Sequence, residues 1–294
     1  MEHGHSHSNA NSSAFKIAFI VTILLVILKA FGGIWADSLA LQADAVHSLS
    51  DVAALGLAWY ADRIQRRPPS PGMSFGWGRT EVLIGLLNAV VLWILAAVFL
   101  WQAWFQWRHP VFANAALMAV TAILALITNA LLAAAFSHAD DFNRRSTFWH
   151  LLTDAAGSAG VLIAALVLGL LGWARINSVM TVVIAVLMVW GSWGIIRDTL
   201  RVLLESTPAG VSLESITQSL EAVPGVDRIH DLHVWTVGSH QLALACHATM
   251  TASTPVSASQ DILCQLHDIL GTYDIHHTTI QMETANEVHD EPDW

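Results

Sequence analysis

Leu39-Ala-Leu-Gln-Ala-Asp44-Ala-Val-His47-Ser-Leu-Ser-Asp51 is an apolar run interrupted by one imidazole and two carboxylates. A second stretch, His150-Leu-Leu-Thr-Asp154, repeats the His-x-x-x-Asp spacing in another long apolar segment. Residues four apart share one face of a helix, so each pair presents both groups in one direction. Ionisable groups are costly in hydrocarbon and persist there chiefly where they work. Two imidazoles and two carboxylates together form a donor set suited to zinc or a related divalent ion. A metal site inside a membrane domain implies transport.

The surrounding chain has the matching composition. Of its 294 residues, 54% are hydrophobic and only 12% are charged, whereas a soluble domain carries about 25% charged residues. Mean hydropathy is +0.53. Apolar runs of roughly 20 residues span a bilayer. Six are expected, at Ala14–Trp35, Leu39–Ala61, Val82–Trp107, Val111–Ser137, Phe148–Leu171 and Ile176–Ile196. The second and fifth carry the most polar residues, and hydropathy alone scores them lower. Tryptophans near span ends, such as Trp35, Trp107 and Trp173, suit interfacial anchoring. The polar N-terminus lacks the basic segment of a cleavable signal peptide.

The basic residues predict orientation. With both termini in the cytoplasm, Lys16, Arg63, Arg66, Arg67, Arg79, Arg144, Arg145, Arg197 and Arg201 fall on the inner side. Only Arg108 and Arg175 fall outside, and this asymmetry follows the positive-inside rule. In that topology both His-x-x-x-Asp pairs lie roughly 10–18 Å deep, near the middle of a ~30 Å hydrocarbon core. They can therefore share one tetrahedral site.

After Pro208 the chain reads as soluble. A helix is expected over Val211–Val223, strands over Val226–Val237 and His240–Met250, a helix over Ala258–Leu270 and a strand over Ile275–Glu283. The order αββαβ predicts a small open sheet with its helices on one face. The fold class is thus an α-helical membrane protein of six transmembrane helices followed by a small cytosolic α+β domain. The expected organisation is a His-containing tail at 1–13, a transport domain at 14–205, a cytosolic metal-binding and dimerisation domain at 206–284 and an acidic tail at 285–294. The net charge of −10 gathers its acid in the last third, which argues against a nucleic-acid partner. Cys246 and Cys264 are expected to be free thiols.

Spacing alone is weak. A chain with 15 histidines yields about one chance His-x-x-x-Asp match, and His289 with Asp293 is such a match. Ion pairs that merely hold helices together are the alternative reading of the membrane pairs. Depth and duplication favour a metal. An intramembrane metalloprotease needs His-Glu-x-x-His, which is absent. A haem protein would use paired histidines without the aspartates.

Taken together, Leu39–Asp51, His150–Ser158, Phe75-Gly-Trp-Gly-Arg-Thr-Glu81, His230-Asp-Leu-His-Val-Trp235 and Thr279-Ile-Gln-Met-Glu283 resemble the cation diffusion facilitator family. The resemblance covers nearly the whole chain apart from its tails. It implies a homodimer in the bilayer that exports divalent metal, Zn2+ first and other divalent ions as the alternative, from the cytoplasm in exchange for protons. It assigns His47, Asp51, His150 and Asp154 as ligands, and His47 resembles the zinc-preferring branch. It also implies a cytosolic metal cluster of His230, His247 and Glu283. Gln281 stands where two-metal members carry a histidine, so a two-metal site is not expected. Trp77 replaces the histidine of the Phe-Gly-His-Gly loop, so a loop site is not expected either.

Secondary residues follow. Asp44 shares the face of His47 and either lines the exit path or is a polar residue in a wet cavity. Lys29 is expected to snorkel to the outer interface. Asn88 and Asn129 can hydrogen-bond between helices, and packing is the favoured reading of both. Arg79 and Glu205 are expected to pair at a hinge, with a weakly contributing solvated pair as the alternative. His3, His5 and His7 either catch zinc loosely or are dispensable. The composition suits a bacterial inner-membrane protein. A membrane-embedded metal sensor without flux is the rival function, because binding does not establish transport.

Overall fold

The computed structural model describes residues 6–137, 142–238, 241–251 and 255–284. Among these, six long helices come first: α1 (Ser6–Trp35), α2 (Leu39–Gln65), α3 (Thr80–Arg108), α4 (Ala115–Phe136), α5 (Phe142–Leu171) and α6 (Ile176–Leu203). Then follow α7 (Leu213–Glu221), β1 (Val226–Gly238), β2 (Gln241–Met250), α8 (Val256–Thr272) and β3 (Ile275–Thr284). This is the expected fold class: a helical membrane protein with a small α+β domain.

Of the six long helices, α1, α3, α4, α5 and α6 are long and apolar enough to cross a membrane on composition alone. The exception is α2, whose middle carries Asp44, His47 and Asp51. The α5 segment Thr147–Leu171 qualifies with the lowest hydropathy of the five, in line with the lower score expected for it, because the residues after Asp154 are almost all apolar. Helix α1 begins at Ser6, eight residues before the expected start. Once a helix is anchored, each added residue gains a hydrogen bond without a new nucleation cost. His3, His5 and the acidic end at 285–294 lie outside the described residues.

The chain divides into two compact units, one of residues 1–57 and 87–194, the other of 58–86 and 195–294. The first has a core of small and medium side chains. Ala40 and Ala43 on α2, Ala96 on α3, Ala122 on α4, Ala164 on α5 and Ala185 on α6 are fully or almost fully buried in it. Without water to drive association, close approach of small residues holds membrane helices together. At Gly32 on α1, an added Cβ would lie 2.6 Å from Thr121 Oγ1 of α4, so the crossing requires glycine. Trp101, Leu170, Leu171 and Trp190 are well exposed, as suits a surface whose solvent is lipid.

A polar clamp fixes the start of α2. The turn before it places Asp37 at φ 51, a conformation that aspartate tolerates. Ser38 Oγ accepts from Leu41 N (3.3 Å) and donates to Asn177 Oδ1 (3.0 Å). The Ala40 amide donates to the same oxygen at 3.1 Å. Asn177 Nδ2 in turn donates to Gln106 Oε1 at 3.3 Å. The amides at the head of α2 thus find partners away from water, and α2 is tied to α3 and α6.

The second unit holds the three-stranded sheet, ordered β1-β2-β3. Strands β1 and β2 are antiparallel, while β2 and β3 run parallel because α8 carries the chain back. Helices α7 and α8 pack on the sheet and on each other, burying Ile216, Leu220, Leu244, Leu266 and Leu270. Ser212 caps α7 by accepting from Ser215 N, which starts that helix later than Val211. The turn into β1 uses Gly225 at φ +99, where a side chain would meet Ile262. His240, the expected first residue of β2, lies outside the described residues.

Candidate metal centre

The first cluster is built on α2 and α5. His47 and Asp51 are the ninth and thirteenth residues of α2, and His150 and Asp154 stand at the same spacing on α5. One ligand atom each from His47, Asp51 and Asp154 lies within 4.8 Å of the others. His150 joins through its Nε2, 3.9 Å from Asp51 Oδ2 and 3.7 Å from Asp154 Oδ2. His47 Nε2 is also 3.9 Å from Asp51 Oδ2. These separations are too long for hydrogen bonds. Two ligands on a tetrahedral zinc ion lie about 3.3 Å apart, given metal–ligand distances near 2 Å. Joint ligation therefore requires these atoms, 3.7–3.9 Å apart in the ion pairs and within 4.8 Å of one another elsewhere, to draw closer together.

The unmet bonding supports that fit. Asp51 Oδ2 and His47 Nδ1 are buried without a hydrogen-bond partner among the described residues. A buried polar atom left unpaired costs about 1–3 kcal/mol, and for the carboxylate oxygen a cation supplies the missing partner. Asp154 is 5% exposed, whereas His47 and Asp51 are half-buried. The cluster thus keeps a route to its surroundings.

Two neighbours differ from expectation. Lys29 does not snorkel: it is 1% exposed and its Nζ lies 2.9 Å from Asp44 Oδ2. Lys29 Nζ also donates to Ser48 Oγ at 3.1 Å, and Ser48 Oγ donates to the Asp44 carbonyl. Lys29 stands six residues before the end of α1 and Asp44 five after the start of α2. Nearly equal distances from one tight turn put the two at one depth, a signal the sequence held. Asp44 is accordingly engaged with Lys29 and is not among the clustered ligand atoms. Asn88 accepts from Ser50 Oγ at 3.5 Å, the limit of a hydrogen bond, and Asn129 is buried on α4.

A second cluster lies on the sheet. The register sets His230 opposite His247, and Gln281 beside it on β3. His230 Nε2 is 3.1 Å from Glu283 Oε2, and His247 Nδ1 is 3.0 Å from Glu283 Oε1. These three residues offer ligand atoms within 4.8 Å of one another. Gln281 Nε2 donates to Glu283 Oε1 at 2.8 Å, so it supports the carboxylate as a donor rather than as a ligand. Asp231, at φ 49, adds a carboxylate 2.8 Å from His233 Nε2 and 3.9 Å from His247 Nε2. Sequence reasoning missed it. Two nitrogens and one buried carboxylate fit a zinc-type ion with an open fourth position.

Cys246 sits between these groups in sequence but is chemically quiet. Burial, reinforced by the Asp231 carboxylate, pushes its thiol up to about 12. Both cysteines are free, Cys246 buried and Cys264 exposed. Arg79 Nη2 donates to Glu205 Oε1 at 2.8 Å, and Glu205 takes φ 55 just beyond α6.

The sequence matches known proteins over the same segments. Residues 15–204 match the cation efflux transmembrane domain, and residues 208–285 match the cation efflux protein cytoplasmic domain. The chain belongs to the cation efflux, or cation diffusion facilitator, family. Among its relatives, a cadmium, cobalt and zinc/H(+)-K(+) antiporter of Bacillus velezensis is 32% identical, covering 99% of this chain and 94% of the relative. The metal cation efflux system protein CzcD of Cupriavidus metallidurans is 33% identical over 96% of this chain and 90% of the relative. The zinc transporter ZitB of Escherichia coli is 31% identical over 96% and 93%. A solved metal-bound C-terminal domain of the Cupriavidus CzcD transporter is 35% identical, covering 25% of this chain and 99% of that domain, with a TM-score of 0.23. As a cation efflux family member, the chain is a multi-pass membrane protein of metal efflux.

Proposed function

We propose that this protein exports Zn2+ from the cytoplasm in exchange for protons, by alternating access to a site made of His47, Asp51, His150 and Asp154. The observation that carries this reading is the convergence of these four side chains, with Asp51 Oδ2 buried and unpaired between the two imidazoles. Two nitrogens and two oxygens suit tetrahedral zinc. Relatives named as a zinc transporter and as a cadmium, cobalt and zinc/H(+)-K(+) antiporter support the cargo and the coupling.

The coupling follows from the ligands. An imidazole binds metal only when neutral, so loading zinc expels protons and protonation expels zinc. In this reading His47 and His150 bind zinc on one side of the membrane and protons on the other. The basic residues of the inner loops favour cytoplasmic termini, in a bacterial inner membrane. The matched cytoplasmic domain and the family resemblance support a homodimer. His230, His247 and Glu283 bind a second zinc in that domain, and the Arg79–Glu205 pair braces the chain where it leaves α6.

Zinc flux into proteoliposomes under an imposed pH gradient tests the reading. The wild type should accumulate zinc in proportion to the gradient, and the His47→Ala and His150→Ala variants should not. Gradient-independent flux would remove proton coupling. Binding without flux would make the protein a sensor.

A further inference from the structure

The ion pair between Lys29 and Asp44 is buried more completely than any of the four proposed ligands. Lys29 is 1% exposed and Asp44 3%, whereas His47, Asp51 and His150 each retain substantial exposure. A charge pair removed from solvent at this depth is expensive to desolvate, and an apolar pair of similar volume is often as stable or more so. Packing alone therefore gives no reason for it. Its position does. Asp44 lies one helical turn before His47 on α2, and its Oδ1 is 3.5 Å from the place where a Cβ on Gly157 of α5 would stand. Gly157 in turn follows Asp154 by three residues. Asp44 lies within electrostatic reach of His47 and Asp154, and Lys29 within reach of Asp51.

The charges can be counted. With both imidazoles neutral, Asp44, Asp51 and Asp154 set against Lys29 leave two negative charges, which one divalent ion cancels. Without Lys29 the same group would carry three, and without Asp44 only one.

We propose that Lys29 and Asp44 are positioning residues that balance the charge of the transport site at the value a divalent cation neutralises. This rests on the proposed site of His47, Asp51, His150 and Asp154. Lys29 holds Asp44 away from the metal while offsetting its charge, and its hydrogen bond to Ser48 keeps the ammonium on the face of α2 that carries the site. The consequence is a sign. Removing the cation tightens zinc binding, and removing the anion weakens it.

The test titrates Zn2+ against purified full-length protein at pH 8, with His230→Ala and His247→Ala present in every sample so that the membrane site is read alone. Lys29→Met should tighten zinc binding by about tenfold and Asp44→Asn should weaken it by about tenfold, as a unit charge near a dication at intermediate dielectric implies. The double variant should return to within about threefold of the parent. A purely structural pair predicts that both single changes weaken binding. That result, or no shift in either, overturns the inference. Lys29→Gln, which can keep the bond to Ser48, replaces Lys29→Met if the latter does not fold. Asp51→Ala in the same assay separates the two readings. If it binds zinc normally, the site assignment itself fails. If it loses zinc while Lys29 and Asp44 do not act with opposite signs, only the charge-balancing role fails.

Discussion

Asp154→Asn removes one negative charge from the membrane cluster while keeping the shape of the side chain. Asp154 is the most buried of the four proposed ligands, at 5% exposure, and its Oδ2 stands 3.7 Å from His150 Nε2. Two unit charges 4 Å apart interact by about 4 kcal/mol at an effective dielectric near 20, so a dication doubles this to about 8 kcal/mol. Desolvation of the carboxylate offsets most of it. If a quarter survives as net affinity, ~2 kcal/mol, the zinc dissociation constant rises about 30-fold. Isothermal titration of the full-length variant measures that shift, and zinc resistance of an efflux-deficient bacterium expressing it measures the lost transport. The reasoning is refuted if Asp154→Asn binds zinc within about threefold of wild type and still confers resistance.

Other outcomes follow from features outside the membrane cluster. Glu283→Gln should lower the number of zinc ions bound per chain by one in equilibrium dialysis, and the loss of charge-assisted bonds to His230 and His247 should cost roughly 1.5–3 kcal/mol in the unfolding of the cytoplasmic domain. Arg79→Glu alone should impair flux with little loss of stability, since an exposed pair is worth about 0–1 kcal/mol; the swap Arg79→Glu with Glu205→Arg should restore flux, and failure to do so would show that more than the pair is at stake. A maleimide at pH 8 should label Cys264 and leave Cys246 untouched until denaturant is added. The thiol of Cys246 is raised in the folded chain, so the unfolded chain binds fewer protons above the ordinary thiol range; stability should therefore fall as pH rises from about 9 towards 12. Cys246→Ala should flatten that slope in chemical denaturation. Asn177→Ala should lower the melting temperature, because it strands the Ala40 amide and the Ser38 hydroxyl, at about 1–3 kcal/mol for each buried group left unpaired.

The membrane pairs were readable because their chemistry is local. A four-residue spacing fixes a helix face, and only four side chains had to meet. The strands were readable for the same reason: the runs expected over Val226–Val237 and His240–Met250 flank the turn residues Gly238-Ser239, a signal that needs no knowledge of partners. What escaped depended on contacts between distant segments. Lys29 reads as an interfacial residue when depth is counted along α1 alone, and its partner is on α2. Asn177 looks like an unremarkable polar residue at the head of α6, yet its side chain accepts from Ser38 and Ala40, more than 130 residues earlier. Asp231 was passed over because its left-handed backbone, which turns the carboxylate towards His233 and His247, breaks the strand alternation that sequence reading assumes.

The polar middle of α2 also bears on how the protein is made. On insertion scales, an aspartate at the centre of a spanning helix is disfavoured by about 2.5–3.5 kcal/mol, and α2 carries Asp51 there and Asp44 nearer its start. Left to itself, this segment would not partition stably into lipid as it emerges from the ribosome. The ammonium of Lys29, on the helix synthesised just before it, can neutralise Asp44 as soon as the two segments form a hairpin. Membrane entry is thereby a joint event of α1 and α2, and the Lys29–Asp44 contact of the finished protein sets the order in which the nascent chain settles.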